Sequence, residues 1–378
     1  MRGAPVTTVA EDATVPAATA DAAGAKAARG IAYYPGCSLH GTSPEFDESL
    51  RAVVAALGIP VAEIPDWNCC GASSGHTTDH LLGVALPARN LALAEAQGFD
   101  RVLAPCAACY NRLSAASLAV ATEDGLAERM PEILGRPFNN TVSVFNAVQL
   151  LHEYGPLIEE RVAASLAEPN PLHGVKLAAY YGCLLVRPPE LAGGDDPEQP
   201  MMMDDVINAC GADDVEWNMK VECCGGAFSI SRTSSVVRLG RSIIEDARRN
   251  GAEAIVVACP LCHSNLDLRQ KAMTERGERP LPILFITQVV GLALGLPAES
   301  LGLNRHFVAT DQFIEDLVTR AAARVKEEQR LQAEAEAKAA ARAARRAEAE
   351  KAKAAAPAGG EAAPAAPSDA APDAGGDA

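Results

Sequence analysis

Ten of the eleven cysteines in this 378-residue chain form two sets of five with one internal order: a single cysteine, an adjacent pair and a CxxC motif. The gaps between these parts are 31, 35 and 2 residues in the first set, and 39, 34 and 2 in the second. The first set is Cys37, Cys69, Cys70, Cys106 and Cys109; the second is Cys183, Cys223, Cys224, Cys259 and Cys262. Core packing gives no reason to place a cysteine pair beside a glycine twice. Metal or redox chemistry is therefore expected of both sets, and Cys210, outside them, is expected to be a buried small hydrophobe.

The number and spacing of the thiols narrow this chemistry. A disulfide framework is disfavoured because the cysteine count is odd and the chain shows no sign of secretion. Structural zinc takes four tetrahedral ligands, commonly from two CxxC-like knuckles, whereas each set offers one knuckle and one ligand too many. Inert buried thiols and a thiol-disulfide relay through the vicinal pairs are further alternatives. Iron-sulfur ligation is favoured, and five thiolates with an adjacent pair suit an unusual cluster better than an ordinary cubane.

The segments that carry the cysteines also repeat, which indicates an internal duplication. Each copy opens with an apolar, tyrosine-rich run, IAYYPGC from Ile31 and LAAYYGC from Leu177, which predicts a buried strand ending at a glycine-cysteine pair. A helix and a return strand lead to the paired cysteines, and a second helix and third strand lead to the CxxC motif. This order predicts an α/β fold of duplicated Rossmann-like βαβ units with parallel sheets. Ligands bind at the C-terminal ends of such strands, where distant cysteines could converge.

Composition predicts the remaining organisation of the chain. Residues 1–29 are too poor in large apolar side chains to offset the entropy of ordering, and we expect a disordered leader. The two cysteine-rich domains are expected at 30–160 and 170–305. Alanine mixed with Glu, Lys and Arg predicts a long solvated helix over 311–356. A disordered tail is expected over 357–378.

Charge and hydropathy exclude several classes of protein. The formal net charge is −16, opposite in sign to a phosphate-binding surface, so nucleic acid is not an expected partner. No run of 18 or more apolar residues predicts a membrane span. The first residues lack the apolar core of a secretion signal and a twin-arginine pair. We therefore expect a cytoplasmic protein.

The complete motif, with Gly71 or Gly225 directly after the cysteine pair, resembles the CCG cysteine-rich domain. A chain with two such domains over residues 31–305 resembles the B subunit of heterodisulfide reductase. The resemblance implies a noncubane 4Fe-4S cluster on each five-cysteine set. It also implies an oxidoreductase acting on sulfur groups, which cleaves a disulfide between the two clusters so that each sulfur is captured by an iron. The implied partners are a ferredoxin-like C-type subunit and a flavin-containing A-type subunit that deliver electrons.

Two other functions remain open from the sequence. The chain also resembles the CCG-domain subunits of succinate or fumarate oxidoreductases and of lactate or glycolate dehydrogenases. Those subunits pass electrons and have no substrate of their own. A zinc-stabilised scaffold that organises partners is the third possibility. Two complete motifs favour disulfide chemistry, because many relatives keep only one.

Three residues near the cysteines are candidates for catalysis. His263 directly follows Cys262, where a proton donor would assist the release of thiols, although a histidine at a helix start is also an ordinary structural feature. Arg187 and Arg232 could anchor a carboxylate or phosphate of an anionic substrate, although surface arginines are common. The tyrosines of the opening strands are expected to pack the sheets.

Overall fold

The computed structural model describes residues 30–164, 169–191 and 193–354. The predicted leader and the predicted C-terminal tail lie outside these residues. The chain divides into two units, one ending at Leu317 and one beginning at Val318. The duplicated core lies in the first unit.

Each copy contains one four-stranded sheet. The strands of the first copy are β1 (Ile31–Tyr33), β2 (Val61–Glu63), β3 (Arg101–Leu103) and β4 (Ser143–Phe145). Those of the second are β5 (Lys176–Tyr180), β6 (Asp213–Asp214), β7 (Ala254–Val257) and β8 (Ile283–Phe285). The spatial orders are β2-β1-β3-β4 and β6-β5-β7-β8, with every pair parallel. The predicted α/β fold with duplicated parallel sheets is confirmed.

Helices connect the strands, as parallel pairing requires. The helices of the first copy are α1 (Gly36–Gly41), α2 (Pro44–Leu57), α3 (Gly75–Thr78), α4 (His80–Ala96), α5 (Ala107–Thr122), α6 (Leu126–Leu134), α7 (Ala147–Glu153) and α8 (Gly155–Ala164). Those that follow are α9 (Met202–Ala209), α10 (Phe228–Ser231), α11 (Thr233–Arg249), α12 (Pro260–Leu268), α13 (Gln270–Met273), α14 (Ile286–Ala293) and the predicted long C-terminal helix α15 (Asp311–Ala354).

The central strands are apolar runs buried on both faces. All four residues of β7 are buried, and the sequence Ala-Ile-Val-Val is typical of a strand covered by helices on each side. The fourth strand of each sheet, β4 or β8, was not predicted: it is as short as β1 to β3, but no cysteine motif follows it to mark its end.

The fourth strands lead into the helices that join the two copies. Helix α14 follows β8 and packs on α2, while α7 follows β4 and packs on α9. The rings of Phe46 and Phe285 stack with their centroids 4.2 Å apart, and the Ser49 and Thr287 hydroxyls lie 2.6 Å apart. Helices α2 and α9 occupy equivalent positions in their copies, as do α7 and α14, so the two interfaces are built from equivalent helices.

Across the described residues, no helix combines the length and the apolar character needed to cross a bilayer.

Candidate functional site

The cysteines lie where the strands of each sheet end. Cys37 is the second residue of α1, four residues after β1 ends at Tyr33, and Cys106 precedes the first residue of α5, three residues after β3. Cys109 lies in the first turn of that helix, where the backbone N–H groups and the helix dipole favour a thiolate. The second copy repeats this arrangement with Cys183 after β5 and Cys259 at the start of α12.

The structure brings the sulfurs of each set together without a disulfide. In the first set the Sγ atoms of Cys70 and Cys109 are 3.4 Å apart, and those of Cys37 and Cys69 are 4.0 Å apart. In the second set, Cys224 and Cys262 repeat the 3.4 Å separation. A disulfide bond is about 2.05 Å long, so these sulfurs are gathered as free thiols.

The number of thiols, more than their spacing, favours a multi-iron core over one tetrahedral metal. Four thiolates at about 2.3 Å around a single zinc would lie roughly 3.8 Å from one another, which is close to the separations of these sulfurs. Each set has five cysteines, one more than a tetrahedral zinc takes. A cluster distributes its thiolates over several irons and can use the fifth. Near the second set, His263, Asp267 and His306 form a further group of potential ligands whose atoms all lie within 4.8 Å of each other.

A glycine before each first cysteine allows the close approach of sulfur. Gly36 has φ +64° and Gly182 has φ +63°, a left-handed conformation that other residues adopt at a cost. A Cβ atom added to Gly36 would lie 2.9 Å from Cys109 Sγ, and one on Gly182 would lie 3.0 Å from Cys262 Sγ. The same glycine in both copies therefore serves both the turn and the site.

A tyrosine at the end of each opening strand holds the loop that carries the cysteine pair. The Tyr34 hydroxyl donates to the carbonyl of Asn68, 2.8 Å away, and the Tyr180 hydroxyl donates to the carbonyl of Glu222, 2.6 Å away. Each acceptor is the residue directly before its CCG motif. Both tyrosines are fully buried, so they pack the sheets as expected and also fix the loop.

Each site has a buried inner side and an open outer side. Cys37, Cys69 and Cys223 are exposed and Cys183 is half-buried. The inner cysteines are all buried: Cys70, Cys106, Cys109, Cys224, Cys259 and Cys262. A molecule in solvent can therefore reach each site only from the side of its first cysteine and the leading member of its pair.

Electrostatics separates the inner and outer thiols. Burial, together with the neighbouring Cys69, raises the pKa of Cys37 to about 11, and the corresponding effects raise the pKa of Cys183 to about 12. Hydrogen bonding with Cys109 lowers the pKa of Cys70 to about 7, and hydrogen bonding with Cys262 lowers that of Cys224 to about 6. Five thiolates so close together repel one another, and bound metal cations would remove this penalty.

The two sites contact each other's copy in equivalent ways. The Tyr110 hydroxyl, directly after Cys109, donates to the carbonyl of Leu191, 2.6 Å away. The neighbouring Asn111 amide donates to the carbonyl of Arg187 at 3.0 Å. In the second copy, His263, directly after Cys262, approaches Glu45 with Nδ1 and Oε1 3.9 Å apart. Each CxxC helix therefore packs on the segment that follows the first cysteine of the other copy.

His263 lies in a buried polar group rather than in solvent. The residue is 4% exposed, its ring stacks on Phe285, and its Nε2 is 3.3 Å from Nδ1 of His306. Burial lowers its pKa well below the usual value. The nearby Asp267 carboxylate accepts hydrogen bonds from the backbone N–H groups of residues 307 and 308, so both of its oxygens are already engaged.

The two candidate arginines lie on the surface. Arg187 forms an ion pair with Glu198 at 2.8 Å, and its backbone follows Cys183 by four residues. Arg232 is exposed between α10 and α11. Cys210 is fully buried away from both sets, as expected of a small hydrophobe.

Two residues beside the sites were missed in the sequence. Asn265 is buried and its amide donates to the Cys224 carbonyl at 3.3 Å, to Cys224 Sγ at 3.5 Å and to the Gly226 carbonyl at 2.9 Å. Arg112 occupies the equivalent position in the first copy, three residues after the last cysteine. Aligning the two CxxC helices on their cysteines would have exposed this difference.

Comparison with known proteins agrees with the duplication. The CCG family model, described as a cysteine-rich domain, matches residues 31–114 and 177–267. A Wolinella succinogenes protein named 8-methylmenaquinol:fumarate reductase membrane anchor subunit is 31% identical over 283 residues, covering 74% of this chain and 96% of that protein. The B subunit of a ferredoxin/F420H2-dependent CoB-CoM heterodisulfide reductase from Methanosarcina acetivorans is 26% identical over 75% of this chain and 95% of its own.

A solved structure shares the fold. A crystal structure of a hypothetical protein from Helicobacter pylori superposes with a TM-score of 0.59 and 13% sequence identity, covering 74% of this chain and 52% of that one. The chain belongs to the CCG cysteine-rich family, with two copies of the domain, and is similar to the B subunits of heterodisulfide reductases. Family and gathered thiols together make it an iron-sulfur subunit of the oxidoreductase class.

Proposed function

We propose that the protein is the catalytic subunit of a heterodisulfide-reductase-like complex. A disulfide would be cleaved reductively, or formed in reverse, at two noncubane 4Fe-4S clusters, one on each five-cysteine set. A ferredoxin-like C-type subunit and a flavin-containing A-type subunit would exchange electrons with it. The observation that carries the proposal is that both sites are complete, with every CxxC helix packed on the segment after the first cysteine of the other copy.

The reaction balances as one disulfide plus two electrons plus two protons giving two thiols. When bound, the clusters would supply the electrons and open iron positions for sulfur. The chain itself would bind the substrate from the exposed outer side of each site, where Cys37 and Cys223 lie. Arg187 and Arg232 remain proposed anchors for an anionic group of the substrate, and His263 a proposed proton donor.

The buried setting of His263 shapes its proposed role. Its ring is held neutral by burial, and its hydrogen-bond partner His306 is held neutral for the same reason. A proton would therefore have to be drawn through this buried pair rather than directly from solvent. Positioning of the α12 start beside Glu45 is the role that the contacts support most directly.

Metal analysis of the full-length protein, purified anaerobically, tests the cofactor. We expect about eight irons with matching sulfide per chain for two 4Fe-4S clusters. Two zincs without iron would instead support a zinc-stabilised scaffold and contradict the proposal.

Thiol binding tests the reaction. The oxidised, iron-loaded protein should give a new paramagnetic signal when a thiol is added, and a low-potential artificial electron donor should support disulfide reduction. Iron-loaded protein that shows neither would act as an electron relay.

That relay is the second candidate function, and one observation favours it. The Wolinella relative, at 31% identity over 96% of its length, is named as a subunit of a fumarate reductase. In this alternative the chain would pass electrons within a flavin dehydrogenase of the succinate/fumarate or lactate/glycolate type. Electron transfer to a fumarate- or lactate-type flavin subunit, without thiol binding, would distinguish it.

A further inference from the structure

The two cysteine sites differ most in the charge beside the inner cysteine of each pair. In the second copy, Asn265 fills this position with a neutral amide that reaches Cys224 Sγ at 3.5 Å. In the first copy the position holds Arg112, one helical turn beyond Cys109, whose sulfur lies 3.4 Å from Cys70 Sγ. Residues three apart on a helix share a face, so this guanidinium lies on the side of α5 that faces the site.

Arg112 lacks the counter-charge that a half-buried arginine normally has. Its Nη2 donates to Oδ1 of Asn111 at 2.7 Å, and within the described part of the chain no carboxylate forms an ion pair with it. Burying a cation without a partner is unfavourable, so such a charge indicates an anion that is part of the working site. Consistent with this, burial lowers the pKa of Arg112 while the Cys70 thiolate raises it.

One buried cation of the second copy, Lys220, is different in this respect. Lys220 lies near the start of the CCG loop, but its Nζ is 2.6 Å from Oδ1 of the buried Asp204. That pair carries no net charge. Arg269, about two helical turns beyond Cys262, donates to the Ser229 carbonyl at 2.9 Å. One helical turn after the last cysteine, the second site therefore has a neutral amide where the first has an uncompensated positive charge.

We propose that Arg112 tunes the first five-cysteine site, making its iron-sulfur cluster the more easily reduced of the two. This inference rests on the proposed cofactor. Reduction adds negative charge to a cluster, and a nearby cation stabilises the reduced form more than the oxidised one. Charge, hydrogen bonding and solvent exposure set the potentials of such clusters. An electron arriving at the protein would then reside on the first site before the second.

A redox titration of the iron-loaded, full-length protein followed by its paramagnetic signals tests the proposal. The wild-type protein should reduce in two steps, with the higher-potential step belonging to the first site. Cys183→Ser protein should keep that step and Cys37→Ser protein should lose it. Arg112→Gln should move the higher step to lower potential, towards the second, and Arg112→Lys should leave it near its wild-type position.

Arg248→Gln is the matched control, because it removes the same charge from an arginine paired with Glu278 at the far end of α11. It should leave both steps in place. The proposal is overturned if Arg112→Gln moves neither step, moves both equally, or acts only when an anionic thiol is present, which would make Arg112 a substrate anchor. If the Arg112→Gln protein loses its iron, the wild-type titration decides the proposal: the higher-potential step must belong to the first site, and its assignment to the second site overturns the proposal. A wild-type protein without iron would sink the proposed function itself.

Discussion

The two cysteine sites share their backbone construction and differ in their surroundings. Both use a left-handed glycine before the first cysteine, a buried tyrosine that holds the CCG loop and a helix that begins at the CxxC motif. The side chains just after the last cysteine diverge: Tyr110 and Arg112 in the first copy, His263 and Asn265 in the second. The two copies thus share the backbone features that bring the sulfurs together. They differ in the side chains that set the electrostatic environment of those sulfurs.

The largest expected effect comes from removing one inner cysteine at a time. Cys106→Ser should lose the iron of the first site alone and Cys259→Ser that of the second, each leaving about half of the wild-type iron, because thiolates are the ligands. Iron and sulfide analysis after anaerobic purification measures this. Cys210→Ala is the control and should keep all of its iron. Loss of both clusters from either substitution would contradict two independent sites.

Alanine at the two site glycines should be the next largest effect. Gly36→Ala and Gly182→Ala each place a residue at positive φ, at about 1–2 kcal/mol, and drive a Cβ against a cysteine sulfur, at a further ~1–3 kcal/mol. Denaturant unfolding and iron content measure both consequences.

Gly135→Ala is the control for these two substitutions. Gly135 has φ +64°, but a Cβ there meets nothing within 4 Å. The Gly135→Ala protein should lose only the stability that the positive φ angle costs, and it should keep its iron. Equal losses in all three variants would show that the sulfurs do not need the close approach.

Acid should destabilise the second copy through His306. Burial lowers its pKa from 6.5 to about 4, so the unfolded state binds the proton more readily and stability is lost as the pH falls below about 6.5. Between about pH 7.5 and about pH 5 this contributes about 2 kcal/mol. Burial raises the pKa of Glu45 to about 7 and that of Asp267 to about 6, and both act in the opposite direction.

Comparing His306→Gln with the wild-type protein isolates this contribution. Unfolding measured anaerobically at both pH values should show a smaller acid loss in the variant, whatever the net direction in the wild type. The first copy has no corresponding group that titrates between these pH values. Tyr110 stands there in place of His263, and burial raises its pKa. An identical pH dependence in both proteins would contradict the burial effect.

The smallest expected effect on stability is at Arg187. Its pair with Glu198 is exposed, and such pairs contribute about 0–1 kcal/mol. If Arg187 anchors an anionic substrate, Arg187→Gln should raise KM several-fold with little change in unfolding. Glu198→Gln is the matched variant and should leave KM unchanged or lower it, because the guanidinium is released. Equal KM values in all three proteins would remove Arg187 from the substrate site.

Much of the fold could be read from local patterns, with clear exceptions. Apolar runs such as Ala254–Val257 and the repeated order of elements were enough to predict the parallel sheets. The fourth strands, Ser143–Phe145 and Ile283–Phe285, were missed because no cysteine motif follows them to mark where they end. The helices that follow them join the two copies, so the internal interface was missed as well.

By itself the sequence determined the number, grouping and spacing of the thiols, the duplication and the parallel α/β class, because these depend on residue identity and local periodicity. Only the tertiary structure decided which sulfurs lie 3.4 Å apart, that His263 and Glu45 meet between copies, and that Arg112 has no carboxylate among the described residues. Such facts depend on contacts between residues far apart in the chain. The burial and the charge of a site depend on all of those contacts together, and a local sequence pattern does not contain them.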